Sequence, residues 1–135
     1  LYGIVGFARA LELATAHHEE HKEYINGLRM YMAEKLKAEI PGVDFNGDLY
    51  GRSLYTVLNV GFPKTEKSEM LLFNLDINGI CASGGSACTS GADAGSHVIR
   101  AISSNPNMIA VRFSFSKHNT KEEVDQVVAK LKEII

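Results

Sequence analysis

Leu54-Tyr55-Thr56-Val57-Leu58-Asn59-Val60-Gly61-Phe62, closed by Pro63, decides the fold. The run is mostly β-branched, aromatic or aliphatic, which marks a buried strand. Proline offers no backbone N–H to a ladder, so Pro63 ends it. A buried strand needs neighbours. Met108 to Ser114 alternates in polarity as a strand does. Val43-Asp44-Phe45 reads as a short strand followed by the turn Asn46-Gly47-Asp48, and Ile80 to Ala82 as another after the Asn78-Gly79 turn.

The segments between these strands have helical periodicity. Ile4, Phe7, Ala8, Leu11 and Ala14 fall on one stripe, and Ile25, Leu28, Met32 and Leu36 on a second. The polar run His17-His18-Glu19-Glu20-His21-Lys22 between them is either a kink or a break. Pro41-Gly42 stops the second stripe. Thr65 to Asn74 reads as a helix with Thr65 or Ser68 as candidate N-cap. Ser83 to Gly91 is a loop rich in glycine, serine and alanine. A helix of about two turns follows from near Ser96 to Ile102, and Ser103 to Asn107 is a second loop. Thr120 and Glu123 have capping-box spacing before the stripe Val124, Val127, Val128, Leu131 and Ile134. The resulting order is helix, helix, strand, strand, helix, strand, helix, strand, helix. That predicts an α+β domain, a small antiparallel or mixed sheet with helices packed on it.

Composition bounds the function. The 135 residues suit one domain over 1–135, and at 45% hydrophobic and 22% charged they can bury a core without disulfides. Fourteen basic against sixteen acidic side chains leave a net charge of −2, so no whole-chain case exists for a nucleic-acid binder. Two cysteines are too few for a disulfide scaffold and suit a reducing compartment. No apolar run nears the ~20 residues of a membrane span. The start at Leu1, with neither a basic leader nor a methionine, reads as a processed end or a point inside a longer gene product.

The strongest chemical signal is Ala82-Ser83-Gly84-Gly85-Ser86-Ala87-Cys88-Thr89-Ser90-Gly91. It places a thiol in a small-residue loop between a strand and a helix. Small residues let backbone approach a ligand and let a side chain move. A reactive thiol also needs a depressed pKa, and Arg112 on the next strand is a candidate cation. A phosphatase loop needs an arginine six residues after its cysteine, and that position is Ala94. His97 and His118 could serve a cysteine protease, but no protease signature surrounds Cys88. Cys81 and Cys88 do not have zinc or dithiol spacing. Cys81, in Ile80-Cys81-Ala82, reads as a small hydrophobe in a strand. His17, His18 and His21 share a helical region, yet two ligands on one face with no third make no closed metal site, so no metal is expected. Arg52 and Arg100 read as surface or loop residues.

Ser86-Ala87-Cys88-Thr89-Ser90-Gly91 resembles the active-site loop of cysteine desulfurases, pyridoxal-phosphate enzymes of the aminotransferase class V type, in the form of the iron–sulfur-cluster assembly branch. Ser96-His97-Val98-Ile99-Arg100-Ala101, Val111-Arg112-Phe113-Ser114 and the helix from Thr120 resemble the family's following segments. Ile4 to Leu11 and Asn59-Val60-Gly61-Phe62 resemble earlier ones. Gly84 and Gly95 depart from the family's usual serine and proline. The resemblance implies the C-terminal small domain of a fold-type I enzyme. The large domain with the cofactor lysine lies outside this chain, so the isolated chain is expected to be inactive. It implies Cys88 as catalytic thiol, Arg112 as the group that holds the substrate carboxylate, and Gly85, Ser86, Ala87, Thr89 and Ser90 as the active-site loop. L-cysteine would give L-alanine and a Cys88 persulfide, which passes to a sulfur-acceptor or scaffold protein. The intact enzyme would be a cytoplasmic homodimer. The residues alone leave two alternatives open: a cofactor-free thiol or sulfur-carrier domain, and a non-catalytic interaction domain.

Overall fold

In the computed structural model, Val57–Pro63 (β2) is the central strand of a three-stranded antiparallel sheet. Residues 1–84, 96–102, 105 and 107–135 are described. Asp44–Phe45 (β1) pairs with one edge of β2, and Met108–Ser114 (β3) pairs with the other in the register Asn59 to Arg112 and Val60 to Val111. Strand residues alternate between faces. Leu58, Val60 and Phe62 of β2 and Val111 and Phe113 of β3 turn inward and are at most 5% exposed. Asn59, Arg112 and Ser114 take the opposite face. The expected strand from Leu54 starts three residues late, because Leu54 is exposed and lies in the approach to β2.

Three helices cover the inward face. His18–Glu39 (α2) buries Ile25, Leu28, Met32 and Leu36, the stripe expected from their spacing. Lys121–Ile134 (α5) buries Val124, Val128 and Leu131. The short Leu71–Ile77 (α3) adds Leu71 and Leu75. These side chains and the five from the strands share one core. That agrees with the α+β sandwich, and the sheet is wholly antiparallel. α5 starts with a complete capping box. Glu123 N–H donates to Thr120 Oγ1 at 3.3 Å, and Thr120 N–H donates to Glu123 Oε2 at 3.1 Å.

A polar network joins α2 to α5. Tyr31 Oη and Lys35 Nζ donate to Asp125 Oδ1 at 2.8 and 2.6 Å, and Lys132 Nζ donates to Glu39 at 2.8 Å. The hydrogen bonds from Lys35 and then Tyr31 hold the Asp125 carboxyl below its ordinary range. Arg29, which carries no motif in the sequence, is buried on α2 at 5% exposure.

The structure settles one open reading, adds to a second and corrects a third. The polar run is a helix break, with His17 off helical geometry between Tyr2–Ala16 (α1) and α2. α1 forms, but none of its residues is buried among the described residues, and Ile4 and Phe7 are each 72% exposed. Thr65 to Asn74 is not one helix. A 3-10 turn over Lys67–Met70 precedes α3, with Ser68 N–H donating to Thr65 Oγ1.

Ile80 to Ala82 is not a strand either. Gly79 takes φ +75°, Gly79 N–H donates to Asp76 O, and Ile80 N–H donates to Leu75 O. This pair of bonds is a Schellman cap, which closes α3 and needs the left-handed backbone that glycine adopts freely. The cap consumes the first N–H that a strand would have offered. Beyond the cap, pairing begins at Ser83, as a single bridge to Arg112.

Candidate active site

Arg112 and the chain entering the cysteine segment meet on the open face of the sheet. Ser83 N–H donates to Arg112 O at 3.0 Å, and Arg112 N–H donates to Ser83 O at 2.7 Å. The side chains also touch, with Arg112 Nη2 donating to Ser83 Oγ at 3.3 Å. Arg112 is exposed, and no acid pairs with it among the described residues. On its other side stands Asn59, whose Oδ1 accepts from Asn46 Nδ2 at 2.8 Å. Gly84 passes close to α3, since a Cβ built there would lie 2.4 Å from Leu72 Cδ1. An arginine that is reachable, unpaired and fixed at its backbone is suited to grip a carboxylate with parallel hydrogen bonds.

Of the site residues expected from the sequence, Arg112 is thus placed. Gly85, Ser86, Ala87, Cys88, Thr89 and Ser90 lie outside the described residues. His97–Ile102 (α4) follows that segment, with Ile99 and Arg100 N–H groups turned to Ser96. Arg52 and Arg100 are exposed, as expected. Cys81 is corrected. It is an exposed thiol, because the Schellman cap puts it in an open connection rather than a strand. Sequence reasoning gave Ser83 no role of its own. Nothing local marks it, because its contact with Arg112 spans 29 residues.

Cys81 lines a cleft of about 710 Å³ with Ile80, Phe113, Phe115, Val127 and Lys130. Phe113 projects to the opposite side of β3 from Arg112, so the cleft and the arginine occupy different faces. Pyridoxal phosphate needs a lysine for its imine, donors for its phosphate and a partner for its ring nitrogen. The cleft's lysine, Lys130, is ion-paired with Glu133, and Glu123 and Glu133 line the same space. Acidic groups there oppose a phosphate, so this cleft does not fit the cofactor. At the α1–α2 break, His17 Nδ1 faces Glu20 Oε2 at 3.3 Å and its ring stacks on His21. Among the described residues no three His, Cys, Asp or Glu side chains gather as a metal site.

The aminotransferase class-V family model matches residues 1–127. The chain belongs to the aminotransferase class-V family. It is 38% identical over 135 residues to a cysteine desulfurase of a Nostoc species, covering 98% of this chain and 33% of that protein. It is 39% identical over 137 residues to the cysteine desulfurase IscS of Clostridium botulinum, covering 98% and 34%. A solved NifS-like protein from Rickettsia africae superposes with a TM-score of 0.77 at 25% identity, over 97% of this chain and 33% of that one. A second solved NifS-like protein gives 0.77 at 32% identity, over 98% and 33%. The resemblance read from the cysteine loop therefore holds across nearly the whole chain. The chain spans about a third of the length of these relatives. Pyridoxal phosphate is the cofactor this membership implies. Among the described residues no helix is long and apolar enough to cross a membrane.

Proposed function

We propose that this chain is the C-terminal small domain of a pyridoxal-phosphate-dependent cysteine desulfurase, with Cys88 as the sulfur-accepting thiol and Arg112 as the carboxylate-binding group. The large domain, which carries the cofactor lysine, lies in the rest of the protein. In this reading Gly85, Ser86, Ala87, Thr89 and Ser90 belong to the active-site loop around Cys88. The Ser83–Arg112 bridge carries this reading, because it anchors the start of the cysteine segment at the arginine. Cys88 lies five positions after Ser83. Such a tether reaches at most about 18 Å, so Cys88 stays within a short radius of any carboxylate held by Arg112.

The chemistry balances without an outside oxidant or reductant. The Cys88 thiolate attacks the sulfur of L-cysteine and a sulfur–sulfur bond forms. The substrate's Cβ–S bond breaks, its electron pair stays on Cβ, and a proton there completes the methyl group of L-alanine. The sulfur remains on Cys88 as a persulfide. A thiol is required because the sulfur must be held covalently between donor and acceptor. A loop of small residues is required because one atom must visit a buried site and then an outside partner. The reading includes a cytoplasmic homodimer that hands sulfur to an acceptor or scaffold protein for iron–sulfur cluster or thio-cofactor assembly.

The test uses the complete enzyme pulsed with L-cysteine. Mass spectrometry should find the added sulfur on the peptide containing Cys88, and Cys88→Ser should abolish sulfur release. Arg112→Lys should raise KM for L-cysteine by roughly 10- to 150-fold, the loss of about 1.5–3 kcal/mol in a charged hydrogen bond. Sulfur carried on Cys81 instead, or full turnover in Cys88→Ser, would refute the assignment.

A further inference from the structure

Arg112 is a long side chain on an exposed face, and its use as a carboxylate clamp depends on its orientation. A free arginine side chain carries about 2 kcal/mol of rotamer entropy, which binding must otherwise remove. Among the described residues one side-chain contact restrains it, the 3.3 Å bond from Nη2 to Ser83 Oγ. Ser83 is itself held, because its N–H and C=O are both bonded to the backbone of Arg112 at 3.0 and 2.7 Å. Residues directly opposite in an antiparallel pair project to the same side. The hydroxyl therefore rises beside the guanidinium from a fixed backbone. Asn59, the other cross-strand neighbour, has its carbonyl oxygen engaged by Asn46. A guanidinium has five N–H donors, and one bond to Ser83 leaves enough of them for a two-point grip on a carboxylate.

We propose that Ser83 is a positioning residue, whose hydroxyl pre-orients the Arg112 guanidinium for the carboxylate of the amino-acid substrate. This rests on the reading of Arg112 given above. Ser83 acts through Arg112 and does not touch the substrate. Its loss weakens substrate capture and leaves the sulfur-transfer step to the thiol.

The experiment compares Ser83→Ala, Ser83→Thr, Arg112→Lys and the Ser83→Ala/Arg112→Lys double variant in the complete enzyme, with KM and kcat for L-cysteine measured separately. Ser83→Ala should raise KM about three- to tenfold, the worth of one hydrogen bond, with kcat held. Ser83→Thr keeps a hydroxyl and should restore KM. In the Arg112→Lys background, Ser83→Ala should add nothing further. If Ser83→Ala leaves KM unchanged while Arg112→Lys raises it, this proposal falls and the function proposed above stands. If Ser83→Ala lowers kcat and Ser83→Thr fails to restore it, Ser83 is structural and the proposal falls. If Arg112→Lys itself leaves KM unchanged, the reading of Arg112 and this proposal fall together.

Discussion

Arg29→Ala tests how a lone cation is kept in the core. Arg29 is 5% exposed, and no acid pairs with it among the described residues. Its Nη1 donates to Ser53 Oγ at 2.8 Å, its Nη2 to Leu49 O at 2.9 Å and its Nε to Asn26 Oδ1 at 3.2 Å. Desolvation lowers its pKa, but an arginine this far above neutrality stays charged. Two of the bonds reach from α2 to the segment before β2. At roughly 1.5–3 kcal/mol for each bond to a charged group, they contribute about 3–6 kcal/mol. Removing the guanidinium returns its own desolvation cost, which is also several kcal/mol. It leaves Leu49 O without a donor and opens space where the stem packed, adding about 1–3 kcal/mol of loss. The net expectation is a destabilisation of about 2–3 kcal/mol.

Urea unfolding of the chain followed by circular dichroism measures it, from the midpoint at constant slope. Two companions separate the contributions. Arg29→Met keeps the stem and discards the charge. Arg29→Lys keeps the charge and loses the planar fork that serves Ser53 and Leu49 together. Met should be the milder change. A loss under about 0.5 kcal/mol in Arg29→Ala, or a wild-type midpoint in Arg29→Lys, would refute the reasoning, because hydrogen bonding would then merely cancel desolvation or need no fork.

Three further outcomes follow from the packing. Thr120→Ala should cost about 1 kcal/mol in thermal or urea unfolding, the worth of an N-cap, with Thr120→Ser near wild type. Asp125 is pulled down by Lys35 and Tyr31, Glu39 first by Lys132, and Glu123 first by Asn119. A depressed carboxyl stabilises the fold above its unfolded pKa, near pH 4, and loses that contribution as pH falls through the folded value. Stability should therefore drop from about pH 5 downward, and Asp125→Asn should flatten part of that drop in a pH series of unfolding midpoints. Gly84→Ala sets its new methyl against Leu72 Cδ1, 2.4 Å from an ideal Cβ, and should cost up to about 1 kcal/mol, since the end of the leucine side chain can turn aside. The same change made on Leu72→Ala should cost almost nothing, so additive losses in the double variant would contradict the contact.

The sequence by itself determined the elements whose signal is local. Leu58, Val60 and Phe62 announce a buried strand, the α2 and α5 stripes repeat at helical spacing, and Thr120 with Glu123 spells out a capping box. Each depends on neighbours within a few residues, so a linear reading finds it. The family could also be read, from the cysteine loop and the segments that follow it. What a stripe packs against is not local. The apolar residues of α1 read like those of α2, yet the first set is exposed and the second is core, because only α2 lies on the sheet. Ile80 to Ala82 has the composition of a strand, but the Schellman cap at Gly79 takes the N–H that the strand would have used, and Cys81 is left open. Arg29 had no motif because its partners, Leu49 and Ser53, lie 20 and 24 residues away. For the same reason the sequence could name Arg112 through resemblance but not Ser83. A polar contact between residues distant in the chain exists only once the strands have set their register, and that register is decided by the burial of one whole face of the sheet.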